Sequence, residues 1–441
     1  MPTLQDIQYI AEVEFRKIVI DTLWKPQISL ILLPLFIAAC TFAQPQPTST
    51  LQGRVLLWHA WPEPKATALT AVLTRFGALY PEVVVKQQAF ATPEELLSQF
   101  QTAAAAGLGP DLLLAPSPWI RPLQEANLID DVSSALPATT IDRFWPAART
   151  AMRYQDGFYG LPLALDTMVL YYDRRLVEQP PTTLDELLAA ATTGQLIELS
   201  TAFFDAFWGV PAFGGQLFDG DQRVMLDQGG FAEWLAWLEA ARETPGMILE
   251  ANRTALLERF IAGGVAYYAG QTSEYETIIA GRTVDPTAGA QAAVEQIGVA
   301  PLPQGPNGSA GPFLQTEGLL FSRASSANQR TLALALAQFM TNAEQQTTLM
   351  RNVGIVPANR RVQVNATLEP VIATFITQVR TATSLPNSSM LDAVFRWGDS
   401  AYSQVLEGEV DPVTAASNIT AASNESNGFA PQHSSGEATA P

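Results

Sequence analysis

Gly160-Leu-Pro-Leu-Ala-Leu-Asp166-Thr-Met-Val-Leu-Tyr-Tyr172 reads as a long extended segment, because its apolar residues run on without the polar alternation of a half-exposed strand. A helix follows it, with Thr183-Leu-Asp-Glu186 supplying a capping hydroxyl and an acid three residues on. Toward the N-terminus, strand and helix alternate. Arg54-Val-Leu-Leu-Trp58 is a strand, and Lys65 to Tyr80 carries Ala68, Leu69, Val72, Phe76 and Leu79 at helical intervals. Pro81-Glu-Val-Val-Val-Lys86 is a second strand, Thr92, Pro93 and Glu95 open a helix through Phe100, and Leu112-Leu-Leu-Ala115 is a third strand. That order predicts a parallel sheet covered on both faces. Toward the C-terminus, Phe231 to Ala241 and Thr254 to Ile261 read as helices, and Val265 to Ala269 and Ile297 to Leu302 as strands. Gly305 to Pro312 is a loop, and Asn328 to Met350 is helical by composition, ending near Gly354. From about Ser423 the chain is rich in Ser, Asn, Gly, Ala and Pro, which predicts a disordered tail over 423–441.

With 441 residues, 47% hydrophobic and 15% charged, the chain is long enough for two domains with real cores. A formal net charge of -18 argues against nucleic acid or anionic lipid as a partner, since phosphate contacts need clustered cations. Beyond Lys86 there is no lysine, which removes Walker-type phosphate loops and lysine Schiff-base chemistry. Two histidines, His59 and His433, leave no histidine zinc site and only one place for a Ser-His-Asp arrangement. No metal or organic cofactor is expected.

The single cysteine, Cys40, closes the apolar run Ile28 to Ala39, preceded by Lys25. A basic residue, a short apolar stretch and small residues are what a secretory signal needs, so 1–39 is expected to be a signal peptide with an unusual N-terminal extension. The run is too short for the ~20 residues of a spanning helix. Ile37-Ala38-Ala39-Cys40 resembles the lipobox of bacterial lipoproteins, in which the thiol is acylated and becomes the new N-terminus. A buried free thiol is the competing reading. The polar, proline-bearing stretch after it suits a tether over 40–52. Leu4, Ile7, Ile10, Ala11, Phe15, Ile18 and Val19 fall at helical spacing in an N-region longer than usual, which points to a translation start nearer Val19 or Leu23.

Three stretches resemble the family-1 extracellular solute-binding proteins of ABC importers, the carbohydrate branch typified by maltose-binding protein. They are Gly109-Pro-Asp-Leu-Leu-Leu114 with Trp119 and Leu123 to Ile129; Asp156-Gly-Phe-Tyr-Gly-Leu-Pro through Leu176 with Pro180 to Leu187; and Phe260 to Gly270 with Gly298 to Pro303. The resemblance implies an α/β, two-lobed periplasmic-binding-protein type II-like fold, with hinge crossings and a ligand cleft. It places the N-terminal lobe at 53–164 plus 317–353 and the C-terminal lobe at 168–313 plus 357–422. Crossings are expected at Phe158 to Tyr172, Leu314 to Phe321 and Asn352 to Ala358.

The same resemblance implies a non-catalytic, monomeric, exported receptor, held on a membrane face by its lipid, that delivers a carbohydrate to the permease subunits of an ABC importer. Sugar clefts want aromatic platforms and bidentate polar partners. The family places sugar contacts in the turn after the first strand, where this chain has Trp58, Trp61 and Glu63; a charged pair found there in maltose-binding protein is only half kept. Asp166 matches an acidic sugar ligand of the hinge segment, a capping aspartate being the other reading. Phe203 and Trp208 match an aromatic segment of the second lobe, although helical spacing of aromatics equally suits a core. Gln271 and Tyr275 follow Gly270, where the family often has a tryptophan, and Phe395 and Trp397 fall where a stacking residue lies near the C-terminus. Trp119 and Trp145 read as packing residues. The ligand alternatives are an oligosaccharide, a polyol or another polar solute such as a glycerophosphodiester. The enzymatic alternative is a carboxylate-dependent glycoside hydrolase built from Glu63, Asp166 or Glu317.

Overall fold

A computed structural model describes residues 51–283 and 289–426 of the chain. Cys40, the apolar run before it and most of the tail lie outside the described residues. In chain order the strands are β1 (Gly53–His59), β2 (Val83–Ala89), β3 (Leu112–Pro116), β4 (Arg153–Tyr154), β5 (Gly157–Phe158), β6 (Gly160–Asp166), β7 (Met168–Asp173), β8 (Ile197–Ser200), β9 (Met247–Glu250), β10 (Tyr267–Gln271), β11 (Ile297–Ala300), β12 (Phe313–Phe321), β13 (Val356–Pro357) and β14 (Thr383–Ser384).

They form two main sheets. The first has the order β13-β6-β12-β3-β1-β2, with β14 joined to β12, and the second the order β11-β7-β10-β8-β9; β4 and β5 make a small hairpin. β1 is parallel to β2 and to β3, as the strand-helix-strand pattern predicted. β12 runs antiparallel between β3 and β6. In the second sheet β8 is parallel to β9 and β10, whereas β7 is antiparallel to β10 and β11. Two predicted helix starts are realised: Thr92 accepts from the Glu95 amide, and Thr183 and Glu186 form a reciprocal box.

The extended segment Gly160 to Tyr172 is divided between the sheets at a single residue. β6 ends at Asp166 in the first sheet and β7 begins at Met168 in the second. Thr167, between them, is buried and donates its hydroxyl to the Phe313 carbonyl at 3.0 Å, tying the turning point to the start of β12. The other two crossings differ from expectation. Leu314 to Phe321 lies wholly within the first sheet, so the chain returns in the loop between Ala300 and Phe313. Val356 and Pro357 pair with β6 as an edge of the first sheet. The passage back therefore lies beyond them, before the helix Ser389–Leu406, which packs on the helices Phe231–Arg242 and Pro412–Glu425.

Alternation along β7 shows how one strand serves two cores. Val169 and Tyr171 join the core that includes the first sheet, while Met168 and Leu170 face the core formed with Phe203, Trp208, Phe231 and Trp234. The Gly-Pro-Asp stretch serves the framework. Asp111 accepts from the Leu56 amide at 2.8 Å and from the Ser325 hydroxyl at 2.7 Å, joining β1 to the loop after β12. The helical stretch after residue 327 is two helices, Ala327–Met340 and Ala343–Val353, because Asn342 caps the second through the Gln345 amide. Gly354, at φ 67°, then ends it in the left-handed conformation. The last helix, Pro412–Glu425, extends through a buried Ser423, so order continues past the point where composition placed the tail.

Candidate ligand cleft

The carboxyl ends of β1, β3 and β10 converge, and a cleft opens there, as at the strand ends of other α/β sheets. Its inner part encloses about 260 Å³ and is lined by Ala60 after β1, Pro116 at the end of β3, Asp166 at the end of β6, and Thr272 and Ser273 after β10. The floor is β12: Gln315 lies opposite Asp166, and Glu317 opposite both Ala164 and Pro116. Apolar walls come from Leu96, Leu114, Trp119, Ile355 and Val356. Lys65, Thr272, Ser273 and Gly354 continue into an outer part of about 620 Å³ that adds Glu63, Tyr275, Glu276, Arg351, Glu369 and Phe375.

Asp166 is already occupied by the protein. Its Oδ1 accepts from the Thr272 hydroxyl at 2.7 Å and from the Ser273 amide at 3.1 Å. With its amide turned so that both ends find partners, Gln271 donates to Asp166 Oδ2 at 3.3 Å and accepts from Arg253 at 2.6 Å and Gln315 at 2.9 Å. Arg253 pairs further with Asp205 at 2.9 Å and with Glu274 at 3.2 Å, and Glu274 accepts from the Tyr268 hydroxyl and the Gln271 amide. Burial raises the Glu274 carboxyl above the usual range despite these donors. The result is a polar chain from the end of β6 into the second sheet.

Glu317 is different. Its Oε2 accepts from the Trp61 indole N–H at 2.6 Å, and Lys65 lies near enough to favour its charge. Burial nevertheless pushes its carboxyl above the usual range, and the neighbouring charge of Asp166 adds to the rise. The β6–β12 register shifts between Glu317 and Gly318. Gly318 permits this contact, since a Cβ there would lie 2.8 Å from Met152 Sδ and 2.9 Å from the Leu161 carbonyl.

A family model for bacterial extracellular solute-binding proteins matches residues 71–374, more than half of the chain. The chain belongs to that family. A maltotriose-binding protein of Pyrococcus abyssi is 25% identical over 380 residues, 80% of this chain and 78% of its own. Among solved structures, the cyclic α-maltosyl-1,6-maltose binding protein of Arthrobacter globiformis superposes with a TM-score of 0.73 at 18% identity, covering 85% of this chain and 98% of the other. The GacH receptor of Streptomyces glaucescens, solved unliganded and with acarbose, gives 0.70 at 22% identity, over 85% and 98%. These likenesses establish the two-lobed type II fold.

Of the residues singled out in the sequence, the cleft brings together Asp166 with Glu63 and Tyr275, and reaches Trp61 and Gln271 through their bonds to lining residues. Others are elsewhere. Phe203 is fully buried and packs against Phe207, Phe231, Phe313, Phe395 and Tyr402, and Trp208, 1% exposed, lies 4.8 Å from Trp234. Neither has a face left for a ligand. Phe395 belongs to the same cluster, and Trp58 is buried against Phe90 at 5.0 Å. Trp397 is 42% exposed on the helix Ser389–Leu406 and does not line the cleft. Trp119, read as packing, does pack, partly buried, against the core that includes the first sheet, and it also forms a cleft wall. Lys65, Thr272, Ser273, Gln315 and Arg351 carried no signal, because each becomes a cleft residue only when strands and helix ends distant in sequence meet. Among the described residues no group of His, Cys, Asp and Glu is arranged to hold a metal ion.

Proposed function

We propose that this protein is the exported receptor of an ABC importer, and that it takes a neutral oligosaccharide of the maltodextrin type into the cleft between its lobes without altering it. The observation that carries this is the make-up of the cleft. Apolar walls with an aromatic ring suit the C–H faces of sugars, and an acceptor-rich floor suits their hydroxyls. Five carboxylates, Glu63, Asp166, Glu276, Glu317 and Glu369, line the two parts against two cations, Lys65 and Arg351. Such a balance opposes phosphodiesters and other anions. The ligands of the relatives, maltotriose and acarbose, point to the same chemical class.

The hydrolase alternative needs two free carboxyl groups flanking the bond to be cut. Asp166 and Glu317 do share the inner cleft, but Asp166 accepts from Thr272 and Ser273 and holds the hinge. The reading is therefore capture: ligand contacts made only when both lobes meet favour the closed form, which the permease subunits recognise. The receptor acts as a monomer tethered through acylated Cys40. Acylation is tested by detergent phase partition of the exported protein against a Cys40→Ser variant, which should lose the lipid-bearing fraction.

A thermal-shift panel of maltose, maltotriose, longer maltodextrins, polyols and sugar phosphates tests the ligand class. A maltodextrin at 100 times its dissociation constant adds about 2.7 kcal/mol of stability. Shifts with sugar phosphates alone would overturn the neutral-ligand reading, and a maltodextrin recovered shortened would overturn capture without chemistry.

A further inference from the structure

The two carboxylates of the inner cleft differ in what they have left to give. Asp166 receives three donors from the protein, counting Gln271, and is spent on the hinge. Glu317 receives one, from Trp61, although an ionised carboxylate has roughly four lone-pair sites. Its side chain is half-buried, faces the cleft from the middle of β12, and keeps Oε1 without a protein donor among the described residues. Trp61, itself 6% exposed, cannot swing away, so its N–H fixes one oxygen and aims the other.

We propose that Glu317, oriented by Trp61, is the residue that accepts a hydroxyl of the bound sugar at the inner end of the cleft and so sets which sugar hydroxyl must be present. This rests on the reading that the cleft takes a neutral oligosaccharide. A half-buried acceptor left empty by a deoxygenated ligand stays desolvated and unpaired, so the site rejects such a ligand by more than the loss of one solvent-exposed contact. Trp61 is a positioning residue: it touches Glu317, and its role is to hold the carboxylate in one rotamer. The sequence pairs these two only through the fold, since 256 residues separate them.

The test is calorimetric titration of maltotriose and its monodeoxy derivatives into the wild-type protein, Glu317→Ala, Glu317→Gln and Trp61→Phe, each with its melting temperature. Glu317→Ala should weaken maltotriose binding roughly ten- to hundredfold, with Glu317→Gln, which keeps an acceptor and the shape, falling between. One deoxy derivative should bind poorly to the wild type, while Glu317→Ala should not distinguish it from maltotriose, as a coupled pair requires. Trp61→Phe should blunt that discrimination without abolishing binding. Glu317→Ala or Glu317→Gln binding within twofold of wild type, or discriminating the deoxy series as the wild type does, would overturn the assignment. A wild type that binds no neutral oligosaccharide would instead overturn the reading beneath it, and this inference with it.

Discussion

In the second lobe, Phe203 sits among Phe207, Phe231, Phe313, Phe395 and Tyr402, with Phe207 and Phe313 stacked at 4.1 Å; around the cleft, Trp119 lines a wall, Trp61 bonds Glu317, and Tyr275 meets one ring, Phe375, edge-on at 6.2 Å. The first group stabilises by packing, since each ring is enclosed by others. In the second, the Trp119 and Tyr275 rings border the cleft, while the buried Trp61 spends its N–H on Glu317. Aromatic content therefore marks both regions alike, and only a place on the cleft lining, or a bond to a lining carboxylate, separates them.

Phe203 offers the severest trial of this contrast. Phe203→Ala should lower stability by about 3–5 kcal/mol in denaturant unfolding and leave maltodextrin affinity of the folded protein unchanged. Lost affinity at unchanged stability would return this cluster to the site.

Carboxylates allow the next test. Glu198 is fully buried on β8, pairs with Arg259 at 2.7 Å, and burial pushes its carboxyl up to about 7. A group that holds its proton more tightly when folded favours the native state at low pH, so this contribution is present below the ordinary glutamate range and is lost as pH rises through about 7. Glu198→Gln should flatten the fall in stability between pH 5 and 8, by up to about 3 kcal/mol. An unchanged pH profile would show that Arg259 keeps Glu198 ionised throughout.

At the cleft wall, Trp119→Ala should weaken maltodextrin binding by about 1 kcal/mol in calorimetry, the scale of one aromatic contact. No change would confine Trp119 to packing. On the surface helix, Trp397→Ala should alter both stability and affinity by less than about 0.5 kcal/mol, as exposed positions do. A larger loss of affinity would extend the site beyond the cleft.

The fold was largely legible because its signals are local. The apolar run from Gly160 to Tyr172, the caps at Thr92 and Thr183, and the strand-helix alternation from Arg54 to Ala115 all became the expected elements. Two expected crossings instead lie within the first sheet, where β12 is bonded on both sides and Val356 and Pro357 pair with β6, contacts between segments far apart in sequence that no local pattern shows. The cleft was legible only in part. Asp166, Glu63 and Tyr275 follow strands or punctuating glycines and can be found from a single stretch. The Trp61–Glu317 bond joins distant strands, and nothing near either residue announces it. Phe203, matched to a ligand segment, is fully buried among other rings, whereas Trp119, read as packing, also reaches a cleft wall, and only the packing of neighbouring elements decides between the two.

Closure of the two lobes on a neutral glycan can be followed by small-angle X-ray scattering of the protein with and without the maltodextrin that gives the largest thermal shift. Closure predicts a smaller radius of gyration with saturating sugar and no change with its phosphorylated counterpart. Identical scattering curves with and without every maltodextrin, under conditions where calorimetry shows the sugar bound, would contradict it.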